Sequence, residues 1–372
     1  MNWRQLIAHR WLTAPRAQGW RTRVIRQMQK QVPQVKDVMW ILSSGTQTTD
    51  RVKALALTHA GILASAKAVN HHLESDRNDR WLIALPHYHV GGMSIYARAH
   101  LSAARVVPYS GKWRPDKFAE CVKRQKITLS SLVPTQVHDL VEGEVPCPPS
   151  LRAVVIGGGA LDPTLYTRAR ALGWPLLPSY GLTECCSQVA TASLASLQST
   201  AFPTLDVLSH VEVELREQRI LLRSPALCRW IAVGAPDGGF TLEDPCRAGW
   251  FVTEDLAEKQ GRGLKILGRR DAVVKILGSL VPVDEVEHQA RQFFSALGGS
   301  LAVLAVPHAR AENELILFTD SQASLRDWQS ALQRFNDENP GPRRLRGLCW
   351  VPSLPIAELG KIKRAELRQL LA

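Results

Sequence analysis

The sequence predicts an α/β protein in which a large N-terminal domain of mixed and parallel sheets, with a small β unit, precedes a small mobile α+β domain. Short apolar strands such as Leu129–Val133 and Leu151–Ile156 alternate with segments of helical periodicity, which is typical of parallel sheets covered by helices. After about residue 205, short strands broken by turn residues predict the β unit. Helices and strands alternate again beyond Gly268, so we place the domain boundary between residues 1–269 and 270–372.

Local patterns identify each element in chain order. The first 37 residues are basic and helical in pattern, and apolar residues at helical spacing predict the helix Ala60–Leu73. The other elements are runs of apolar or alternating residues bounded by glycine, proline or polar turns. They are the strands Val38–Leu42, Trp81–Leu85, Leu129–Val133, Leu151–Ile156, Val211–Leu215, Arg219–Arg223, Gly239–Thr241, Trp250–Thr253, Leu301–Val306 and Glu314–Thr319, and the helices Val281–Phe294 and Leu325–Asn336.

The composition narrows the class of protein. Of the 372 residues, 45% are hydrophobic and 22% are charged, as in ordinary globular proteins, and no uncharged apolar run reaches the about 18 residues that a membrane span needs. Seven scattered cysteines without a C-x-x-C pair argue against a disulfide scaffold or a cysteine-rich zinc site and favour a reducing compartment. We therefore expect a cytoplasmic protein with no membrane span.

The net charge of +12 is compatible with two kinds of partner. A basic surface attracts nucleic acid, and it also attracts polyanionic small molecules. The basic residues do not form one long tract, and the sequence contains no aromatic-rich RNA-binding motif. We therefore expect small anionic molecules as partners and no nucleic acid.

Three loops follow predicted strands, where α/β sheets place their ligands. The first, Ser43–Thr49, combines hydroxyls with a glycine and precedes Lys53, so it could cradle a phosphate or could be a polar surface turn. The second, Pro86–Gly92, contains two histidines, which could be half of a metal site or, since no third ligand is visible, part of a pocket wall. The third, Gly157–Ala160, lets a ligand lie against the backbone, although a plain tight turn would have the same sequence.

Polar residues further along the chain offer other chemistry. Tyr180, Thr183 and Glu184 provide an aromatic face, a hydroxyl and a carboxylate within five residues, and the two oxygen groups suit Mg²⁺. The same residues could instead form a structural turn followed by the start of a helix. Asp255 follows a predicted strand and could accept hydrogen bonds from a ribose, although a solvent-facing acidic turn would have the same sequence. Lys361 follows a glycine near the end of the chain and could bring a positive charge to a phosphate, although isolated Gly-Lys pairs are common.

The order of these segments resembles that of the adenylate-forming superfamily, which comprises acyl- and aryl-CoA ligases, adenylation domains and luciferases. The resemblance runs from about residue 38 to the end of the chain and is carried by Ser43–Thr46, Pro86–Gly92, Gly157–Ala160, Tyr180–Glu184, Asp255, Gly268–Gly278 and Gly360–Ile362. Within the superfamily, the o-succinylbenzoate–CoA ligases of menaquinone synthesis are the most similar. That similarity rests on His89–Gly92, Arg98 nine residues after His89, Leu132–Gln136 and Thr183–Gln188.

The resemblance implies an AMP-forming acid–CoA ligase, which uses ATP and Mg²⁺ to convert a carboxylic acid into an acyl-adenylate and then transfers the acyl group to coenzyme A. The implied catalytic residues are Lys361, Glu184 and His89, and the implied hinge between domains is Asp271. The implied ATP-binding residues are Ser44, Gly45, Thr46, Lys53, Gly158, Gly159, Ala160, Tyr180, Gly181, Thr183, Asp255 and Arg269. Glu184 and Thr46 would hold the metal, His89, Arg98 and Ser187 the acid, and Gly278 coenzyme A.

Three departures from the family pattern keep alternatives open. The phosphate loop lacks the usual second glycine and proline and is longer, and Glu254 stands where a glycine is usual. Only 42 residues precede the loop, so the first domain is expected to be N-terminally truncated relative to the family, and a homodimer could compensate for this. The alternatives are a ligase for another aryl or short acyl acid, a stand-alone adenylation enzyme, and a degenerate adenylate-binding regulator.

Overall fold

The computed structural model describes residues 2–13, 20–33, 37–42, 51–235, 237, 239–261, 263–356 and 362–370, apart from the side chains of residues 20, 21, 271 and 280. The predicted phosphate-loop residues Ser44, Gly45 and Thr46 and the predicted catalytic residue Lys361 therefore lie outside the described residues. The chain divides into two compact units, and the second comprises residues 254–256 and the stretch from Leu267 onward.

The described residues form ten α-helices and 22 β-strands, and none of these helices is long and apolar enough to cross a membrane. The helices are α1 (Trp3–Ile7), α2 (Trp20–Gln31), α3 (His59–His72), α4 (Val90–Ser102), α5 (Pro115–Gln125), α6 (Pro134–Glu142), α7 (Pro163–Ala171), α8 (Val283–Phe293), α9 (Leu325–Glu338) and α10 (Arg364–Gln369). The strands are β1 (Trp11–Leu12), β2 (Val38–Leu42), β3 (Val52–Thr58), β4 (Arg80–Ile83), β5 (Arg105–Pro108), β6 (Leu129–Leu132), β7 (Ala153–Ile156), β8 (Leu176–Leu182), β9 (Ser187–Thr191), β10 (Leu205–Val207), β11 (Glu212–Arg216), β12 (Arg219–Arg223), β13 (Trp230–Gly234), β14 (Phe240–Glu243), β15 (Cys246–Arg247), β16 (Trp250–Gln260), β17 (Gly263–Arg269), β18 (Val273–Ile276), β19 (Ser279–Pro282), β20 (Leu301–His308), β21 (Glu312–Thr319) and β22 (Leu345–Trp350).

Five strands run parallel at one end of a 12-stranded sheet, in the order β5-β4-β6-β7-β8. Helices cover both faces of these strands, because successive residues of a strand point to opposite sides. In β7, Val154 and Ile156 pack in the core that contains residues of α5, α6 and α7, whereas Ala153 and Val155 pack in the core that contains residues of α3 and α4. The predicted α/β class is confirmed, and the carboxyl ends of the parallel strands lie along one edge.

Local sequence fixes where the covering helices begin. Proline occupies the first turn of α5, α6 and α7, where its missing N–H group costs no hydrogen bond and its fixed φ suits a helix. Thr58 caps α3 by accepting a hydrogen bond from the Gly61 N–H at 2.9 Å. These starts lie directly after strands or their loops, so the helices return along the sheet.

The β-rich stretch after residue 205 forms no sheet of its own. Strands β10, β11, β12, β15, β16 and β17 extend the 12-stranded sheet, whereas β13 and β14 join a five-stranded sheet in the order β1-β2-β3-β13-β14. Strand β16 runs to Gln260, so the prediction that Asp255 follows the end of a strand is wrong. The strand continues past its two acids, and the Ala257 N–H donates to the Gln218 carbonyl at 2.8 Å.

The sequence pattern predicted that the first 37 residues are helical, and this prediction is wrong for part of the segment. The short strand β1 lies between α1 and α2 and pairs in parallel with β2. The rings of Trp11 and Trp40 stack across this pair at a centroid distance of 5.5 Å, so aromatic packing selects a strand here. Helix α2 packs closely on β13, where a Cβ atom at Gly234 would lie only 2.6 Å from Val24.

The second unit packs α8 and α9 against a three-stranded sheet, in which β21 lies between antiparallel β20 and parallel β22. The ring of Phe294 lies 5.0 Å from Trp328 and 5.3 Å from Phe335, and these three side chains are almost fully buried. The α+β organisation predicted for the end of the chain is thus observed.

An ion pair between the buried Asp79 and the half-buried Arg152 joins the amino ends of the parallel strands. Asp79, Thr128 and Arg152 each directly precede a strand of this sheet. The Asp79 carboxylate accepts from Arg152 Nη2 at 2.7 Å, from Arg152 Nε at 2.9 Å and from the Thr128 hydroxyl at 2.7 Å. Burial alone would raise the pKa of Asp79, but these hydrogen bonds outweigh it and lower the pKa.

We expect Asp79→Asn to destabilise the first unit by about 2–3 kcal/mol, because it breaks the charge-assisted hydrogen bonds between the buried carboxylate and the half-buried Arg152. Since the native pKa of Asp79 is lowered, its carboxylate stabilises the fold above its unfolded pKa, and this stabilisation is lost as the pH falls through the native pKa. Urea unfolding at neutral pH and along an acid series measures both effects. An equal loss at every pH would contradict the assignment of the acid-sensitive stability to Asp79.

Candidate active site

Three of the predicted ligand-binding segments lie at the carboxyl ends of the parallel strands. Pro86–Gly92 follows β4, Gly157–Ala160 follows β7, and Tyr180 and Gly181 lie near the end of the adjacent strand β8. A Cβ atom at Gly158 would lie 3.2 Å from the Val133 side chain, which follows β6. This edge is where open α/β sheets bind their ligands.

The glycine turn after β7 has both the backbone conformation and the open space that a close ligand needs. Gly158 has a φ of +79°, which only glycine adopts without strain. A Cβ atom at Gly157 would find no atom within 4 Å, and one at Gly159 would only touch Pro134 at 3.7 Å. The predicted residues Gly158, Gly159 and Ala160 are therefore placed to border an open space.

The corner between β8 and β9 holds an irregular backbone that the sequence did not reveal. The pairing of these strands shifts register between Tyr180 and Gly181, and a Cβ atom at Gly181 would lie only 2.1 Å from the Ser187 carbonyl oxygen. Cys186 and Ser187 have φ values of +51° and +106°, although neither is a glycine. Bulges and positive φ values at non-glycine residues are concentrated at functional sites.

An ion pair links the predicted ATP-binding lysine to the predicted metal ligand. Lys53 Nζ on β3 donates to Glu184 Oε1 at 2.7 Å. Glu184 lies in a short 3₁₀ turn, Thr183–Cys185, and its backbone carbonyl accepts a hydrogen bond from the Cys228 N–H at 2.7 Å. The ion pair thus brings together two residues that are 131 positions apart in the sequence, which is close enough for both to contact one bound nucleotide.

The carboxylate of Glu184 fits the predicted Mg²⁺. Mg²⁺ binds proteins through one or two carboxylates and completes its shell with waters and substrate phosphates. Within the described ranges, no group of three His, Cys, Asp or Glu residues could hold a metal by itself. Glu184 would therefore hold Mg²⁺ together with a bound triphosphate. The other predicted metal ligand, Thr46, lies outside the described residues.

The histidine loop is held tightly at the start of α4. His89 is the N-cap residue of α4, and its ring lies 4.9 Å from that of Tyr88. Gly92 leaves no room for a side chain, because a Cβ atom there would lie 2.3 Å from the Pro86 carbonyl oxygen. Burial lowers the pKa of His87, and the nearby His9 lowers it further, so His87 is neutral at physiological pH.

Arg98 is a buried cation with no acidic partner among the described residues. Its side chain extends from α4, is 1% exposed, and lies over the ring of Trp81 at 5.4 Å. Its Nη2 donates to the Ser94 hydroxyl at 2.9 Å, whereas its buried Nε has no hydrogen-bond partner. Burial lowers the pKa of Arg98 to about 9, so the guanidinium remains charged at neutral pH.

Gln188 contacts Arg98, and the sequence did not predict this contact. Its amide satisfies both neighbours when the oxygen accepts from Arg98 Nη2 at 2.8 Å and the nitrogen donates to the Thr191 hydroxyl at 2.6 Å. The predicted acid-binding residue Ser187 directly precedes it and is half-buried. Because Gln188 and Arg98 lie 90 positions apart in the sequence, only the fold brings them together.

In the second unit, the predicted ribose-binding residues form an ion pair. Arg269 Nη1 at the end of β17 lies 3.8 Å from Asp255 Oδ1 on β16. Gly278, with a φ of +80°, lies in the turn of the β18–β19 hairpin, where a side chain would meet no atom within 4 Å. The predicted hinge Asp271 lies in a short 3₁₀ turn, Arg270–Ala272.

The chain on either side of residue 361 is anchored within the second unit. Ile356 and Ile362 form an isolated antiparallel bridge, and the Lys363 N–H donates to the Pro355 carbonyl at 2.8 Å. Arg364 Nη2 bonds Asp284 at 3.0 Å and the buried Glu287 at 2.9 Å, both on α8. The described residues on either side of residue 361 are therefore held together by backbone hydrogen bonds and tied to α8.

Comparison with known proteins gives the family. Residues 7–220, more than half of the chain, match the family described as AMP-binding enzyme. The chain belongs to the AMP-binding enzyme family. Its predicted membership of the adenylate-forming enzymes is thereby confirmed.

Individual relatives agree with this family. A 2-succinylbenzoate–CoA ligase of Staphylococcus epidermidis is 27% identical over 326 residues, which cover 86% of this chain and 68% of that protein. The o-succinylbenzoate CoA synthetase of Bacillus subtilis, solved with an acyl-adenylate intermediate, matches with a TM-score of 0.74 and 22% identity over 92% of this chain and 73% of that one. The amide bond synthetase McbA of Marinactinospora thermotolerans has a TM-score of 0.72 at 20% identity, over 90% and 70% of the two chains. These two structures share the fold of this chain.

Proposed function

We propose that this AMP-binding enzyme is an acid–CoA ligase that activates o-succinylbenzoate. The name of the Staphylococcus epidermidis relative supports this activity, and so does the order of the motifs from Lys53 to Lys361. The observation that carries the substrate assignment is Arg98, a buried guanidinium without an acidic partner in the described part of the chain. A second carboxylate on the acid would supply that partner.

In the first half-reaction, a carboxylate oxygen of the acid attacks the α-phosphorus of ATP and pyrophosphate leaves. Two anions must meet, so neutralising their charge is the main task of the protein. Lys361 would bridge the carboxylate and the α-phosphate, Tyr180 would stack on adenine beside Gly158–Ala160, and Asp255 and Arg269 would hold the ribose. When bound at Glu184, Mg²⁺ neutralises charge on the phosphates.

In the second half-reaction, the thiol of coenzyme A loses its proton, its sulfur attacks the acyl carbonyl, and AMP leaves with the bonding electron pair. The hinge at Asp271 would carry Lys361 away and bring the Gly278 turn to the thiol. His89, which starts α4 beside the acid site, would control access for the thiol.

Arg98 would bind the carboxylate that does not react. A guanidinium presents N–H groups in a planar fork that matches a carboxylate, and its buried Nε lacks an acceptor in the described residues. Ser187 and His89 would line the same acid site. A substrate with a single carboxylate would leave the buried charge unpaired, so dicarboxylates are preferred.

Two wider predictions accompany this function. The seven cysteines are scattered and odd in number, which favours a reducing compartment, and on that argument we place the protein in the cytoplasm. A homodimer also stays a prediction, and sedimentation that shows only monomer at micromolar concentration would contradict it.

Pyrophosphate release with a panel of acids tests the proposal. We expect release with o-succinylbenzoate and ATP, and much slower release with aryl or short acyl acids that carry one carboxylate. Faster release with another acid would replace the substrate but keep the adenylation chemistry. Release that is followed by acyl transfer to an amine or a carrier protein, and not to coenzyme A, would favour a stand-alone adenylation enzyme. No release with any acid would favour an adenylate-binding regulator.

A further inference from the structure

The groups around the Arg98 guanidinium are all uncharged among the described residues. Ser94 accepts a hydrogen bond from Nη2 and itself donates to the Gly91 carbonyl at 3.1 Å, which ties the guanidinium to the histidine loop. Trp81 lies under one face of the guanidinium, and the Gln188 oxygen accepts from both Nη atoms, at 2.8 and 3.3 Å. The guanidinium is therefore oriented without being neutralised.

Gln188 is itself firmly placed. It is 4% exposed, its amide nitrogen faces the fully buried Thr191 hydroxyl, and that hydroxyl lies 3.1 Å from Ser179 Oγ on β8. Glutamate has nearly the same size and shape as glutamine. One oxygen of a carboxylate here would lie within hydrogen-bond distance of the guanidinium and would make a charge-assisted pair with it.

We propose that Gln188 determines specificity for a dicarboxylic acid, because its neutral amide orients Arg98 while leaving the positive charge available to the substrate. A charged residue at this position would pair with Arg98 inside the protein and remove the attraction for the second carboxylate. The proposal rests on the proposed function for its substrate class. Its electrostatic part is a property of the described residues alone.

The test compares Q188E with Q188M in the full-length enzyme. Q188E adds a negative charge at almost constant shape, whereas Q188M removes the hydrogen-bond acceptor without adding charge. The rate of adenylation is measured as pyrophosphate release, once with o-succinylbenzoate and once with the monocarboxylate analogue that lacks the ring carboxylate. Thermal unfolding of all three proteins is measured without substrates.

We expect Q188E to lower the preference for the dicarboxylate over the monocarboxylate by about 100-fold or more, through a higher KM for the dicarboxylate. The kcat for the monocarboxylate should stay within a few-fold of the wild type. Q188M should raise the KM for the dicarboxylate less than Q188E does, because Arg98 keeps its charge and loses only one orienting contact. An unchanged preference ratio in Q188E would overturn the proposal.

Thermal unfolding decides the electrostatic part even if the substrate is a different acid. Q188E should unfold at a higher temperature than the wild type, since a tenfold gain in the folding equilibrium shifts the midpoint of a domain of this size by about 3–5 °C. Q188M should not unfold at a higher temperature. No rise in Q188E would mean that Arg98 is already neutralised, and the proposal would fail. A rise in Q188E together with a wild type that does not act on o-succinylbenzoate would reject the proposed substrate but keep the role of Gln188.

Discussion

Arg98→Met is expected to reduce kcat/KM for o-succinylbenzoate by about 100-fold or more, because a buried charge pair with the second carboxylate contributes about 2–5 kcal/mol. The loss should appear mainly in KM, and kcat/KM for the monocarboxylate analogue should change little. Steady-state pyrophosphate release with the two acids measures the difference.

The same substitution should not destabilise the protein. Replacing a buried unpaired charge by an apolar side chain of similar volume is often neutral or stabilising, so we expect a change in the free energy of unfolding between about 0 and +2 kcal/mol. The gain offsets the hydrogen bonds that Ser94 and Gln188 lose. A less stable variant that loses activity equally with both acids would show that Arg98 has a structural role and does not bind the substrate.

Glu184→Gln is expected to slow adenylation by about 100-fold, because a metal ion contributes several kcal/mol of charge stabilisation to phosphoryl chemistry and the amide is a poorer Mg²⁺ ligand. The variant should also need a higher Mg²⁺ concentration for half-maximal rate. A titration with Mg²⁺ at saturating ATP measures both effects.

Glu120→Gln is the matched control for this substitution. Glu120 pairs with a lysine, Lys117, at 2.9 Å, much as Glu184 pairs with Lys53, but it is exposed on α5 and belongs to none of the ligand loops. Glu120→Gln should leave the rate and the Mg²⁺ dependence unchanged. If Glu184→Gln also leaves the Mg²⁺ dependence unchanged, Glu184 serves only to hold Lys53.

The sequence predicted the elements whose signal is local. Runs of apolar residues located β2, β6 and β7 within a few residues, because parallel strands buried on both faces leave little room for polar side chains. The pairing of β13 with β3 was not predictable, since the pattern of a strand does not name its partner. Asp255 was predicted to follow a strand because the run Trp250–Thr253 is followed by two acids, whereas β16 continues through them.

The candidate site shows the same limit. Glu184, His89 and Arg98 were identified because the short segments that contain them resemble those of the adenylate-forming family. Lys53 was predicted as a phosphate ligand, but its ion pair with Glu184 spans 131 residues. Gln188 ends the segment Thr183–Gln188 that resembles the family, but it was given no role, because glutamine has no characteristic chemistry and its role depends on a contact with α4. The positive φ values at Cys186 and Ser187 could not be predicted, because neither residue is a glycine and both values depend on the irregular pairing of β8 with β9.

The most direct test of the account is to mix the protein with ATP, Mg²⁺, coenzyme A and o-succinylbenzoate and to detect the thioester by mass, with Lys361→Ala measured in parallel. The account predicts a thioester from the wild type and at least a roughly 100-fold slower reaction with Lys361→Ala, because the lysine neutralises the two anions that must meet. When the acyl-adenylate is supplied directly, the variant should form thioester at close to the wild-type rate, since Lys361 acts only in the first half-reaction. A wild type that forms no thioester with this acid, or a Lys361→Ala variant as active as the wild type from ATP, would contradict it.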